Sequence, residues 1–168
     1  MVTSKYLHTR LEKKEQVFDF FKNEKKDMKT FMKFVERGYE GLVWHTETEW
    51  ISYAWMSTPE SQAPPHLPHW VQSLHVYWLF NFYTKDSYRK QGLHRASVIL
   101  LSKLAREKDF KARIYADVQP GNIPPIKSLL SVGFVPAGVI YTMTLRIPKF
   151  WYVFYGNWVK EEPHPAVS

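Results

Sequence analysis

The chain has 168 residues, 45% hydrophobic and 17% aromatic, which suits one domain with a sizeable core, leaves little room for two, and excludes intrinsic disorder. Its formal net charge of +7 points to an anionic partner (nucleic acid, a membrane surface or a phosphorylated small molecule) or to a lysine-rich solvated surface. The absence of cysteine excludes disulfides, thiolate nucleophiles and cysteine-bound zinc and fits a reducing, cytoplasmic compartment, while "MVTSKYLHTR" lacks a signal-peptide core and no apolar run is long enough to span a bilayer.

Residues 1–9 have room for a short first strand. Val17, Phe20, Phe21, Met28, Phe31, Met32 and Val35 then recur at helical spacing, with Lys and Glu between them. Gly38 and Gly41 end that segment, and a break is expected near Asn23 to Asp27. "GLVWHTETEW" and "WISYAWMS" are aromatic and β-branched runs around a polar turn, which predicts a hairpin. Four of the eleven prolines fall in "TPESQAPPHLPHWVQS", which is a long loop.

"LHVYWLFNFYT" is nearly continuous in apolar residues, as in a central strand buried on both faces. A helix follows from about Leu93 to Lys108, with Leu93, Leu100, Leu101, Leu104 and Ala105 facing inward. "ARIYADV" predicts a strand. Asn122 is a good N-cap for a short helix with early prolines, closed by Gly133. "AGVIYTMTLRI" and "FWYVFYGNW" predict two final strands joined at Pro148. The whole is one mixed α/β domain over residues 1–158, with 159–168 as a flexible tail.

The stretch "YRKQGLHRAS" sits between the central strand and its helix. The first amides of that helix lack intrahelical partners, the helix dipole is positive there, and Gly92 lets an anion approach the backbone. Arg89, Lys90 and Arg95 add charge. A bound phosphate and a solvated helix entry both account for this pattern. It is neither a Walker loop nor a dinucleotide-binding glycine motif.

"Arg89-Lys90-Gln91-Gly92-Leu93-His94" after a strand resembles the R/Q-x-x-G-x-G/A signature of the GCN5-related N-acetyltransferases. "VQPGNIPPIKSLLSVGF" resembles that family's later block, in which Asn (here Asn122) starts a helix that ends in Gly-Phe (Gly133, Phe134). The resemblance runs from about residue 12 to residue 158. It implies a mixed, mostly antiparallel sheet flanked by helices, with a splayed central strand pair. It implies acetyl-coenzyme A, or another short acyl-coenzyme A, as co-substrate, with no metal. The pyrophosphate would lie on Arg89, Lys90, Gln91, Gly92, Leu93, His94 and Arg95, and the pantetheine arm along Phe82, Tyr83 and Thr84. The Phe82 amide would be the oxyanion donor, and Asn122 would sit near the coenzyme or serve only as an N-cap.

The sequence departs from that pattern in three places. His94 stands where the family has Gly or Ala, so its side chain must turn away from the phosphate or donate to it. Leu129 stands where many members have an acidic Tyr, leaving Tyr141 or Tyr83 as substitutes. Trp78, Phe80 and Phe82 share one face of the central strand by simple alternation, so that face carries no base. Asp117, Glu47 and Glu49 could relay a proton through water; Asp117 otherwise reads as a strand-end carboxylate and the glutamates as hairpin surface. His66 and His69 lack a third metal ligand, and their loop is expected to lie over the acceptor cleft.

The resemblance therefore implies transfer of an acetyl or short acyl group to a primary amine of a small molecule or peptide. The alternative is a catalytically inactive acyl-coenzyme A sensor of the same fold. Nucleic acid is disfavoured, because the basic residues spread over one helix and one loop without a reader motif. A homodimer through the final strand and a purely intrachain edge both remain open.

Overall fold

The computed structural model describes residues 5–147 and 150–160. Strand β1 (Leu7–Leu11) leads into helices α1 (Lys14–Phe21) and α2 (Lys25–Glu36). Gln16 Oε1 caps α1 by accepting from the backbone of Glu12 at 2.8 Å and Lys13 at 2.9 Å. The expected break falls at Lys22–Glu24, where Glu24 N–H bonds back to Phe21 O at 2.8 Å. Then come β2 (Glu40–His45), β3 (Trp50–Ser57), β4 (Tyr77–Thr84), α3 (Leu93–Lys108), β5 (Ile114–Ala116) and α4 (Ile123–Leu130). The chain closes with a hairpin of β6 (Gly138–Ile147) and β7 (Phe150–Lys160).

The five-stranded sheet has the order β1-β2-β3-β4-β5, antiparallel except for the parallel β4–β5 pair. β6 and β7 pair with each other as a separate two-stranded sheet. This is the mixed, mostly antiparallel architecture that the resemblance implied.

Alternation along β2–β4 sends side chains to two cores. On one face Leu42, Trp44, Met56, Tyr77 and Leu79 pack against Leu93, Val98 and Leu101 of α3 and Leu129 of α4. On the other, Val43, Tyr53, Trp55, Trp78 and Phe80 pack against Val17, Phe21 and Phe31 of α1 and α2.

Three sequence expectations need correction. β4 is buried on both faces only from Tyr77 to Phe80, and it opens beyond that point; β3 is buried along its whole length. β5 has three residues rather than the length of "ARIYADV", because β4 turns away and leaves nothing to pair with. Asn122 stands at the N-cap of α4, yet its side chain makes no capping bond. At the other end of α4, Gly133 (φ 92°) takes the left-handed turn, and Phe134 N–H reaches Leu129 O at 3.2 Å. Pro148 and residues 161–168, most of the expected tail, lie outside the described residues.

Candidate functional site

A one-residue bulge in β4 creates the site. Trp55 faces Phe80 and Tyr53 faces Tyr83, so three steps on β4 match two on β3. Asn81 takes up the surplus in a left-handed conformation (φ 52°), which Asn tolerates better than most residues. β5 pairs only with Tyr77, Trp78 and Leu79. Beyond Leu79 the parallel pair has come apart.

The bulge also inverts the alternation. Trp78 and Phe80 lie in the core under α1 and α2, whereas Phe82 packs toward α3. The three therefore do not share a face, contrary to simple alternation. Tyr83 takes the α1–α2 side, stacked on Tyr53 with ring centres 5.6 Å apart. Lys85 N–H donates to Ile51 O at 2.9 Å. Counting back from that bond, the Tyr83 backbone points to β3 and the Phe82 and Thr84 backbone to the edge that β5 has left. Thr84 O also accepts from Arg89 Nε at 3.3 Å.

The loop before α3 is braced from two sides. Tyr6 Oη donates to Gln91 Oε1 at 2.6 Å. Glu49 accepts from Lys85 Nζ at 2.7 Å and Tyr88 Oη at 2.8 Å, and these bonds hold its carboxyl below the usual range. Glu49 thus acts as a clamp between the hairpin turn and the loop. Lys90 (φ 62°) and Gly92 (φ 77°) are both left-handed and curl the backbone around Gln91. Gly92 is the N-cap of α3 and no side chain caps the helix; the first intrahelical bond shown runs from Ala96 N–H to Gly92 O at 3.0 Å. The amides of Leu93, His94 and Arg95 precede that bond and need an outside acceptor. Arg89, Lys90 and Arg95 are exposed around them, with Arg89 paired to Asp86 at 2.8 Å. Leu93 is buried as the anchor of the first turn.

His94 turns away from this opening. Its Nδ1 stands 2.9 Å from Ser128 Oγ on α4, its ring lies 4.5 Å from the Phe82 ring, and burial lowers its pKa. Among the expected site residues, Phe82, Thr84 and residues 89–95 thus surround one end of β4. Asn122 is exposed at the start of α4.

A continuous cavity of about 1730 Å³ runs from α2, under the proline-rich loop, past Trp78, Phe80 and Asn81 to the end of β5 and α4. Asp117, one residue past β5, lines it. Asp117 Oδ1 accepts from Trp78 Nε1 at 2.6 Å and stands 3.1 Å from His66 Nε2. Tyr141 is 61% exposed on β6, and the neighbour that lines the cavity is Ile140. Leu129, in the position of the family's tyrosine, is buried in the α3-side core and touches the cavity. Sequence reasoning missed Asn81 and the Asp117–His66 contact. The one available signal for the bulge was a polar, turn-forming residue inside an aromatic strand.

A family model described as the acetyltransferase (GNAT) family matches residues 8–134. No match was found among curated proteins. Among solved structures, an aminoglycoside antibiotic 6'-N-acetyltransferase from Acinetobacter baumannii superposes with a TM-score of 0.58 at 14% identity, over 84% of this chain and 99% of that one. AAC(6')-Iy in complex with the bisubstrate analogue CoA-S-monomethyl-acetylneamine gives 0.57 at 15% identity, over 79% and 92%. A ribosomal-protein-alanine N-acetyltransferase from Brucella melitensis gives 0.54 at 12% identity, over 78% and 93%. At such identities the likeness is one of fold.

Proposed function

This chain belongs to the acetyltransferase (GNAT) family and is an acetyl-coenzyme A-dependent N-acetyltransferase, and on that premise we propose that its co-substrate lies along the open edge of β4 and against the first turn of α3. The bulge at Asn81 carries this reading, because it leaves the Phe82 and Thr84 backbone facing the edge that β5 has left, where the pantetheine amides can pair with Phe82 and Thr84 O is shared with Arg89 Nε. The fit at the other end is equally direct. An exposed helix start with a left-handed glycine and no side-chain cap suits a pyrophosphate.

In this reading the amides of Gly92, Leu93, His94 and Arg95 bind the pyrophosphate, with Arg89, Lys90 and Gln91 around it. Tyr83 closes the acceptor side of the slot and Asn122 flanks the coenzyme. When bound, the coenzyme supplies an activated thioester acyl group. The Phe82 N–H polarises the carbonyl as an oxyanion donor. Asp117 lies on the acceptor side, and Tyr141 is given no step.

The acceptor is an amine. It enters from the α1–α2 face, past the exposed ring of Tyr83, which the buried rings of Trp50 and Tyr53 back, and a small molecule or a peptide N-terminus would suit that aromatic wall. Action in the cytoplasm, where acetyl-coenzyme A is available, completes the proposal. Among the described residues no helix is long and apolar enough to cross a membrane.

The test is calorimetric titration with acetyl-coenzyme A and with free coenzyme A. Micromolar binding, about −8 kcal/mol, is expected for both. Thiol release with neamine and with an alanine-terminated peptide then distinguishes the acceptors. Failure to bind either coenzyme form overturns the site.

A further inference from the structure

The cavity contains an imidazole to which the reading above assigns no task. Building on the coenzyme site proposed there, we propose that His66 is the general base that takes the proton from the acceptor ammonium, and that Asp117 positions it.

The placement is the first argument. Phe80 is the last residue before the bulge, so it stands beside the point where the acyl group would be presented. Phe80 and Trp78 offer no base from the strand itself. The His66 ring reaches over from the proline-rich loop to 6.0 Å from the Phe80 ring, and both line the cavity with Asn81.

The hydrogen bonds are the second. Trp78 Nε1 fixes Asp117 Oδ1 at 2.6 Å, and that oxygen faces His66 Nε2 at 3.1 Å. A carboxylate on Nε2 selects the tautomer with the proton there and leaves the lone pair on Nδ1. Among the described residues, Asp117 is the charged group within bonding distance of His66.

The third is rigidity. Tyr39 Oη donates to Ala63 O at 2.9 Å, Gln72 Nε2 donates to Ser61 O at 2.6 Å, and Leu67 N–H returns to Pro64 O at 2.9 Å. Leu67 and Val71, which follow His66 in the chain, are buried. His66 is therefore held in place before any ligand arrives.

The step balances as follows. The alkylammonium gives its proton to His66 Nδ1. The freed lone pair forms the C–N bond at the thioester carbon, the C–S bond breaks, and sulfur leaves with its electron pair. The imidazolium, paired with Asp117, releases that first proton to water, and the second proton, left on the new C–N nitrogen, passes to the departing sulfur, giving the neutral amide and the free thiol.

The experiment uses the full ¹⁵N-labelled chain, His66→Gln and Asp117→Asn. Nitrogen shifts of the His66 ring are expected to show Nε2–H and bare Nδ1 in the parent, with that preference lost in Asp117→Asn. Both variants should bind acetyl-coenzyme A as the parent does. With neamine as probe, His66→Gln should lower kcat/KM about 100-fold and remove the limb that rises with pH. Asp117→Asn should shift that limb without abolishing it. An Nδ1–H tautomer, or parental kcat/KM and pH profile in His66→Gln, overturns the proposal. If neamine is not turned over, the tautomer alone decides. Loss of acetyl-coenzyme A binding by the parent would instead overturn the coenzyme site.

Discussion

The indole of Trp44 donates to Ser97 Oγ at 2.8 Å, with both residues fully buried and 53 positions apart. Ser97 Oγ in turn donates to Leu93 O at 2.9 Å. The first turn of α3, whose amides are proposed to hold the pyrophosphate, is thereby hung from strand β2. Trp44→Phe leaves the serine oxygen without its donor and opens a small void. It is expected to cost about 1–3 kcal/mol, seen as a lower urea midpoint at unchanged slope.

Gly92 combines a left-handed backbone with the expected anion contact. Gly92→Ala should cost about 1–2 kcal/mol of stability for the positive φ alone. Gly92→Asp should do the same and also lower acetyl-coenzyme A affinity more than tenfold, because a carboxylate then faces the pyrophosphate. Equal affinities for the two variants by calorimetry would remove the anion from this loop.

Asn81 is tested by two substitutions. Asn81→Gly keeps the left-handed turn and should bind acetyl-coenzyme A as the parent does. Asn81→Val places a β-branched residue at φ 52° and should cost roughly 1–2 kcal/mol and weaken acetyl-coenzyme A binding. Equal binding by both would dissociate the bulge from the slot.

The elements were largely legible in the sequence because they follow from periodicity: the helical stripe of Leu93 to Ala105, the proline-rich loop, and the glycine that ends α4. The loop before α3, to which we assign the pyrophosphate, stood out for a different reason, since a glycine and cations before a helix have a local electrostatic meaning. What could not be read was relational. The bulge depends on how β4 registers against β3, and it moved Phe82 to the other face. Asp117 meets His66 across 51 residues, a contact that no local spacing encodes.

Leu129 illustrates the same limit. Its position in the family motif invites a tyrosine, but its side chain is 8% exposed and belongs to the α3-side core. Leu129→Tyr should therefore destabilise the protein by about 1–3 kcal/mol through overpacking. Denaturant unfolding measures this directly, and undiminished stability would show that the ring finds room in the adjoining cavity.

Burial lowers the pKa of His94 from its ordinary value of 6.5. As pH falls, the unfolded chain takes up this proton before the folded chain does. The associated stability is thus complete above about pH 6.5 and is lost as pH falls toward the folded value. The melting temperature should decline from about pH 7.5 to 5.5, and His94→Asn should flatten that slope. An unchanged slope would assign it to other groups.

The surplus residue in β4 makes chain length matter there more than chemistry. Substituting Asn81 alters one backbone angle. Deleting it would let the strand run straight, exchange the sides of Phe82 and Tyr83, and turn the Phe82 amide into the β3 ladder. One gap in the chain would undo together the proposed oxyanion donor, the aromatic wall and the parting of β4 from β5, so this position should accept the residues that take a left-handed turn but never a blank.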